Sequence, residues 1–143
     1  MEQEDGSEGR GSRARNPGET HTFRDLACWQ ACRDLRLFIT RSVVPALPAA
    51  EKFRLADQLI RAARSTTSNV AEGYGRYHYL DEAKFDGIAR GSCYEVIDHL
   101  ITGNDEGLVS AASLTEGESK ALHAIKVLNG YMAYLKRKAR EDK

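Results

Sequence analysis

The sequence has no excess of either charge. Its 143 residues carry 21 lysines and arginines against 21 aspartates and glutamates. That balance excludes a histone-like protein that coats nucleic acid by bulk attraction. There is no apolar run of the ~18 residues a membrane-spanning helix needs, so no membrane partner is expected. Residues 1–20 lack the apolar stretch of a secretory signal. Cysteine is scarce and odd in number, with Cys28, Cys32 and Cys93 only. Without an export signal this is no disulfide framework. The three read as small core residues. The histidines His21, His78, His99 and His123 are scattered, with no H-x-x-x-H or H-E-x-x-H spacing. No metal and no cofactor are therefore expected. No local sign pairs a cysteine with a histidine for nucleophilic chemistry. Period-two alternation is missing, which argues against strands, and no 20–50-residue repeat suggests a solenoid.

What is present is enough for one packed domain. Apolar residues make up 41% of the chain, too many for a wholly disordered protein. The expectation is an all-α, cytoplasmic domain at residues 21–143. Residues 1–20 read as a disordered tail, with four glycines and no aromatic or branched aliphatic side chain. Such a segment cannot bury enough apolar surface to offset its ordering entropy.

Four amphipathic helices follow from periodicity. The first covers about residues 25 to 44, with Cys28, Cys32, Leu35, Ile39 and Ser42 or Val43 on one face. Pro45 disfavours helical geometry at Val44 and should end it there. The second starts near 51 or 54 and runs to 74, with a seam of Leu55, Leu59, Ala62, Thr66 and Val70. Gly73 and Gly75 mark its end as candidates for a left-handed cap. The third covers about 80 to 102, with Phe85, Ile88, Ser92, Val96 and Leu100 on its face. Gly87 and Gly91 sit four apart inside it, which suggests a groove where another backbone comes close. The fourth begins at a capping-box pattern, Thr115 to Glu118, with a seam of Leu122, Ile125, Leu128, Met132 and Leu135. With short connections these make an antiparallel up-down-up-down four-helix bundle.

The second helix carries an unusual polar stripe. Gln58, Arg61, Ser65, Asn69, Glu72 and Arg76 recur at steps of three and four. They lie about 100° from the apolar seam, at the border of the core. Residues 65–69 are five consecutive poor helix formers. The third helix offers Arg90, Ser92 and Glu95 as matching partners. One reading is a structural network that fixes register between helices. The other is a site for a polar ligand, or for nucleic-acid phosphate at Arg61, Arg64 or Arg76. Glu72 and Glu95 could pair as carboxylates for hydrolysis, but nothing supplies a metal or an evident nucleophile.

These segments resemble a known family. Asp25-Leu-Ala-Cys-Trp-Gln30 is similar to its opening signature, with Cys28 where valine is usual. Gln58-Leu-x-Arg61-Ala-Ala-x-Ser65, Ser68-Asn-Val-Ala-Glu-Gly73 and Gly75-Arg76 resemble its central motif, with Thr66 in place of isoleucine. Phe85-x-x-Ile-Ala-x-Gly-Ser92-x-x-Glu95 is similar to its third-helix pattern. Asn129-Gly-Tyr131 to Leu135-Lys136 resembles a weaker C-terminal one. The family is that of the four-helix bundle proteins first recognised in intervening sequences of 23S ribosomal RNA genes. The likeness covers residues 23 to 138. It implies a ring-shaped homo-oligomer, commonly a pentamer, and no established catalytic activity. A bundle related in fold is the accessory protein of diversity-generating retroelements, which binds a reverse transcriptase and nucleic acid through a basic surface.

Two functions are open at this point. One is a non-enzymatic oligomer that binds RNA or DNA, or an RNA-handling protein such as a reverse transcriptase. Its basic residues would be Arg33, Arg36, Arg61, Arg64, Arg76 and the terminal Lys136, Arg137, Lys138 and Arg140. The other is a scaffold oligomer with a protein partner, using the aromatic flank Trp29, Tyr131 and Tyr134. The tail holds a charge of −2 and the remainder +2. Any phosphate binding must then come from a local arginine patch repeated by assembly.

Overall fold

The computed structural model describes residues 22–142; the expected tail at 1–20 lies outside them. Among the described residues all regular structure is helical. Four long helices carry the fold: α1 (Ala27–Phe38), α2 (Leu55–Tyr74), α3 (Tyr79–Asp105) and α4 (Ala111–Glu141). α1 packs on α2 and α4, and α3 packs on the same two, which closes a four-helix bundle.

The entry to α1 is a capped tight turn, Phe23–Asp25. The Thr22 hydroxyl accepts from the Arg24 N–H at 3.1 Å, and Asp25 accepts from the Thr22 N–H at 3.4 Å. α1 does not stop where the proline suggested. It widens into a π turn at Ile39–Val43 and then tightens into a 3₁₀ turn at Val44–Ala46. Val44 keeps helical geometry (φ −61°, ψ −45°). Pro45 sits near the start of the tight turn, where its missing N–H loses little. The chain leaves helical geometry at Leu47. Cys28, Cys32, Leu35, Ile39 and Val43 are all buried, and Ser42 faces out.

α2 has no cap from its own preceding residue. Glu51 supplies one, its carboxylate accepting from the Leu55 N–H at 3.2 Å. The expected seam is the observed one, with Leu55, Leu59, Ala62, Thr66 and Val70 buried. Its end differs in mechanism from expectation. Gly75 has φ −76°, so no left-handed cap is used there. The positive φ among described glycines belongs to Gly107 (76°), after α3. There the Leu108 and Val109 N–H groups return to the Gly103 carbonyl at 2.8 and 3.1 Å, satisfying an end carbonyl.

α3 and α4 correct the sequence reading more strongly. α4 starts at Ala111, capped by Ser110, whose hydroxyl accepts from the Ser113 N–H at 3.1 Å. Thr115 and Glu118 are then already inside the helix. Leu122 is 48% exposed, while Ile125, Leu128, Met132 and Leu135 are buried. On α3 the core face is Ala83, Asp86, Ala89, Cys93, Val96, Ile97 and Leu100. Of the expected face Ser92, Val96 and Leu100 are buried and Phe85 is half-buried, but Ile88 is 45% exposed. The cause is that Glu82 and Asp86, both wholly buried, occupy core positions on the N-terminal half of the helix. Among the described residues Gly87 and Gly91 meet no other backbone: a Cβ on Gly87 would find only Met132 Sδ at 4.0 Å, and one on Gly91 nothing within 4 Å. The close approach occurs instead at Gly73, where a Cβ would lie 2.9 Å from Phe85 Cβ and 3.0 Å from the Glu82 carbonyl oxygen.

Candidate functional site: a polar seam, a buried acid pair and an arginine groove

The stripe on α2 divides into two parts. Its centre faces α3. Ser65 Oγ and Ser92 Oγ are 2.8 Å apart, and Asn69 donates to the Ser65 carbonyl at 2.8 Å and to Ser65 Oγ at 2.9 Å. Ser92 is buried and Ser65 and Asn69 are half-buried. These three groups join α2 to α3 by side-chain hydrogen bonds at the core border. Neighbouring hydroxyls turn back to their own helix: Thr66 donates to the Ala63 carbonyl at 2.7 Å, and Ser68 to the Ser65 carbonyl at 3.4 Å.

The outer members of the stripe stay with solvent. Arg61 pairs with Asp57 at 3.2 Å and Arg76 with Glu72 at 3.4 Å, each one turn along α2. Arg76 also lies over the Phe85 ring, 4.6 Å from its centre. Glu95 turns to His99 at 3.1 Å. Glu72 and Glu95 are thus exposed, each held by a side chain four residues on, Arg76 and His99. Arg90 reaches α4 and donates to Asn129 at 2.7 Å. The seven stripe residues Arg61, Ser65, Asn69, Glu72, Arg76, Ser92 and Glu95 therefore do not form one network. The structure brings together Ser65, Asn69 and Ser92 and leaves the four charged ones in separate surface pairs.

Sequence reasoning missed the buried acids. Tyr131 donates to Glu82 at 2.7 Å, tying α4 to α3. Burial pushes the Cys28 thiol well above the ordinary range, and the nearby Asp86 carboxylate adds to this. Cys32 and Cys93 share a thiol hydrogen bond. That bond and burial together push Cys93 up, while within the pair the bond favours the thiolate of Cys32. All three thiols are free and buried, as small core residues. Among the described residues no group of three or more His, Cys, Asp or Glu side chains is placed to hold a metal. A signal for the acids did exist: Glu82, Asp86, Ala89, Cys93 and Val96 keep the three-and-four spacing of one helix face.

The arginines of the α1–α2 groove differ from those of the stripe. Arg36 donates to Thr67 at 2.8 Å, and the Thr67 hydroxyl donates on to the Arg64 carbonyl at 3.4 Å. Arg33 lies one turn before Arg36 and lines a shallow depression on the α1 side with Arg24, Trp29, Gln30, Asp34 and Leu37. Among the described residues no carboxylate lies within ion-pair distance of Arg33, Arg36 or Arg64. At the far end of α4, Lys136, Arg137 and Arg140 are exposed, Arg137 lies 5.7 Å from the centre of the Tyr134 ring, and Lys138 pairs with Glu141 at 3.4 Å. Tyr131 and Tyr134 stack at 5.9 Å, while Trp29 meets Phe23 edge-on at 5.3 Å; all three tyrosine and tryptophan side chains are partly buried against the core.

No helix of the described residues is long and apolar enough to cross a membrane. No curated protein matches the chain. The family description "23S rRNA-intervening sequence protein" matches residues 24–130. That span runs from the capped turn before α1 to Gly130 in α4. It includes the Ser65–Asn69–Ser92 seam, the buried acids and the arginine groove. Bundle, motif spacing and a match over well more than half of the chain agree: the chain belongs to the 23S rRNA-intervening sequence protein family.

Proposed function

We propose that the protein is a non-enzymatic homo-oligomer, a five-membered ring as its relatives' resemblance implies, that binds RNA along the α1–α2 groove. The observation that carries this is that Arg33, Arg36 and Arg64, which lie on α1 and α2, have no carboxylate within ion-pair distance among the described residues, and that Arg36 bridges the two helices through Thr67. Arg61 and Arg76 are neutralised by neighbours on their own helix, and a guanidinium already paired has less to gain from phosphate. Arg36 is held in place by Thr67, so part of its ordering entropy is already spent before a ligand arrives. Trp29, beside Arg33, offers an aromatic edge for an unpaired base. The chain's formal charge is zero, so a single groove binds weakly. Repetition around an assembly raises the local field and the effective concentration.

The test is binding of the full chain to a structured RNA, and to a DNA of the same sequence, over a salt series. Three phosphate contacts per subunit give a log–log salt slope of about −2 to −3 per bound subunit. The variant Arg33→Gln/Arg36→Gln/Arg64→Gln should flatten that slope, while Arg61→Gln should leave it nearly unchanged. Absence of binding at low salt, or a slope indifferent to the triple variant, overturns the proposal. Equal binding to DNA would redirect it from RNA to nucleic acid generally.

A further inference from the structure

The depression on the outer side of α1 holds one residue that phosphate binding does not explain. Asp34 stands next to Arg33, exposed, in a site whose other charged side chains, Arg24 and Arg33, are cations. A carboxylate there repels the phosphates that the arginines attract. It is also fixed in place. Lys120 of α4 donates to Asp34 Oδ2 at 3.0 Å. That uses one acceptor position of a group that has about four. Among the described residues no carboxylate lies within ion-pair distance of Arg24 or Arg33, so both remain available to phosphate.

Trp29, Arg33 and Leu37 follow one another at steps of four and form one row along α1, with Gln30 and Asp34 in the row beside it. Trp29 is half-buried, and Phe23 braces its ring edge-on at 5.3 Å. The Gln30 amide donates to the Arg24 carbonyl at 3.0 Å and ties the entry turn to the helix. Asp34 lies about 7.5 Å beyond Trp29 along the helix axis, a span that one base can bridge. From this arrangement we infer that the depression takes a single unpaired guanine of an RNA. The base stacks on Trp29, its Watson–Crick edge meets Asp34, and its flanking phosphates meet Arg24 and Arg33. The inference rests on the RNA reading above and adds a base preference to it.

Guanine alone among the four bases suits a carboxylate on that edge. Its N1–H and 2-amino group are adjacent donors, and the two carboxylate oxygens accept both at once. Adenine and cytosine each set a ring-nitrogen lone pair beside the amino group. Uracil sets a carbonyl on either side of its N3–H. In all three an acceptor faces the carboxylate, and the mismatch opposes binding. Any base can stack on an indole, so Trp29 supplies affinity and Asp34 supplies selection. The repulsion that Asp34 exerts on phosphate is then offset when the base is guanine and felt in full when it is not.

Four RNA hairpins that differ at one nucleotide of an otherwise uridine loop test this with the full chain. Binding is read by affinity and by the emission of Trp29, the chain's one tryptophan. Wild type should bind the guanine loop about tenfold more tightly than the other three, the size of a two-hydrogen-bond base contact, and that loop should quench the emission. Asp34→Asn should bind the guanine loop more weakly and the other three equally or more tightly, because a charge that repels phosphate is gone. Its melting temperature should stay close to wild type, since an exposed ion pair contributes little. A merely structural role for Asp34 would shift all four loops alike. Equal affinity for the four loops, a guanine preference that survives Asp34→Asn, or an unchanged Trp29 emission overturns the inference. The RNA reading then still stands if Arg33→Gln/Arg36→Gln/Arg64→Gln weakens the binding that is seen. No binding of any hairpin at low salt overturns both.

Discussion

Replacing Gly73 by alanine sets two effects against each other. Alanine favours the helical backbone over glycine by up to about 1 kcal/mol. The added methyl would lie 2.9 Å from Phe85 Cβ and 3.0 Å from the Glu82 carbonyl oxygen. Neither is the far end of a flexible side chain. One is fixed to the α3 backbone and the other is part of it, so α2 and α3 must separate. Overpacking of this kind costs about 1–3 kcal/mol. The net loss is then about 1–2 kcal/mol, a fall in melting temperature of roughly 3–6 °C for a domain of this size. Gly130→Ala is the matched control. Its Cβ meets nothing within 4 Å among the described residues, so only the helix preference acts, and the protein gains up to about 1 kcal/mol. Thermal and urea melts of both variants measure the difference, and unchanged urea m-values would show that the unfolded state is not involved. A Gly73→Ala protein melting at or above wild type would mean that α2 and α3 yield freely. The glycine in this motif would then serve something other than helix approach.

Three further expectations concern the interior. Tyr131→Phe removes the hydroxyl that donates to the fully buried Glu82 and should cost about 1–3 kcal/mol in urea unfolding; a loss below a few tenths would show that Glu82 does not depend on this bond. Asn69→Ala removes the amide that links Ser65 to its own backbone and supports the Ser65–Ser92 contact; a loss of about 1 kcal/mol is expected, with RNA affinity unchanged. The raised thiol of Cys28 makes stability fall in alkali. Below the ordinary thiol value of 9.0 both folded and unfolded chains hold this proton. Above it the unfolded chain releases it and the folded one does not, so stability falls by about 1 kcal/mol per pH unit from this thiol. Cys28→Ala should shallow the decline between pH 9 and 10 by one thiol's share; an identical slope would count against a neutral, buried Cys28.

The sequence made the fold class legible because three helices keep plain apolar seams. α2 is the clearest case: Leu55, Leu59, Ala62, Thr66 and Val70 were expected inside and are buried. α3 misled because Glu82 and Asp86 occupy core positions while Ile88 and Tyr94 face out. The start of α4 was misplaced because Thr115 and Glu118 match a capping box, yet Ser110 lies earlier and caps first. Periodicity alone cannot rank two caps on one chain. At the site, Ser65, Asn69 and Ser92 were foreseeable from spacing. The partners of Arg61, Glu72 and Glu95 were not, because a charged side chain at the core border can turn inward or along its own helix. The isolation of Arg33, Arg36 and Arg64 is a property of three-dimensional surroundings, which linear spacing does not carry.

The mixed character of α3 also bears on the order in which the bundle forms. Two of its carboxylates, Glu82 and Asp86, point inward and several of its large apolar side chains point outward, so alone it has no preferred side to bury. α1, α2 and α4 each present a distinct apolar stripe and can associate on first contact. α3 can be oriented only by a surface that already exists: the Tyr131 hydroxyl for Glu82, Ser65 for Ser92, and the Gly73 notch for Phe85. It is the helix expected to dock last. Substitutions on its inner face should therefore speed unfolding and leave the folding rate almost untouched.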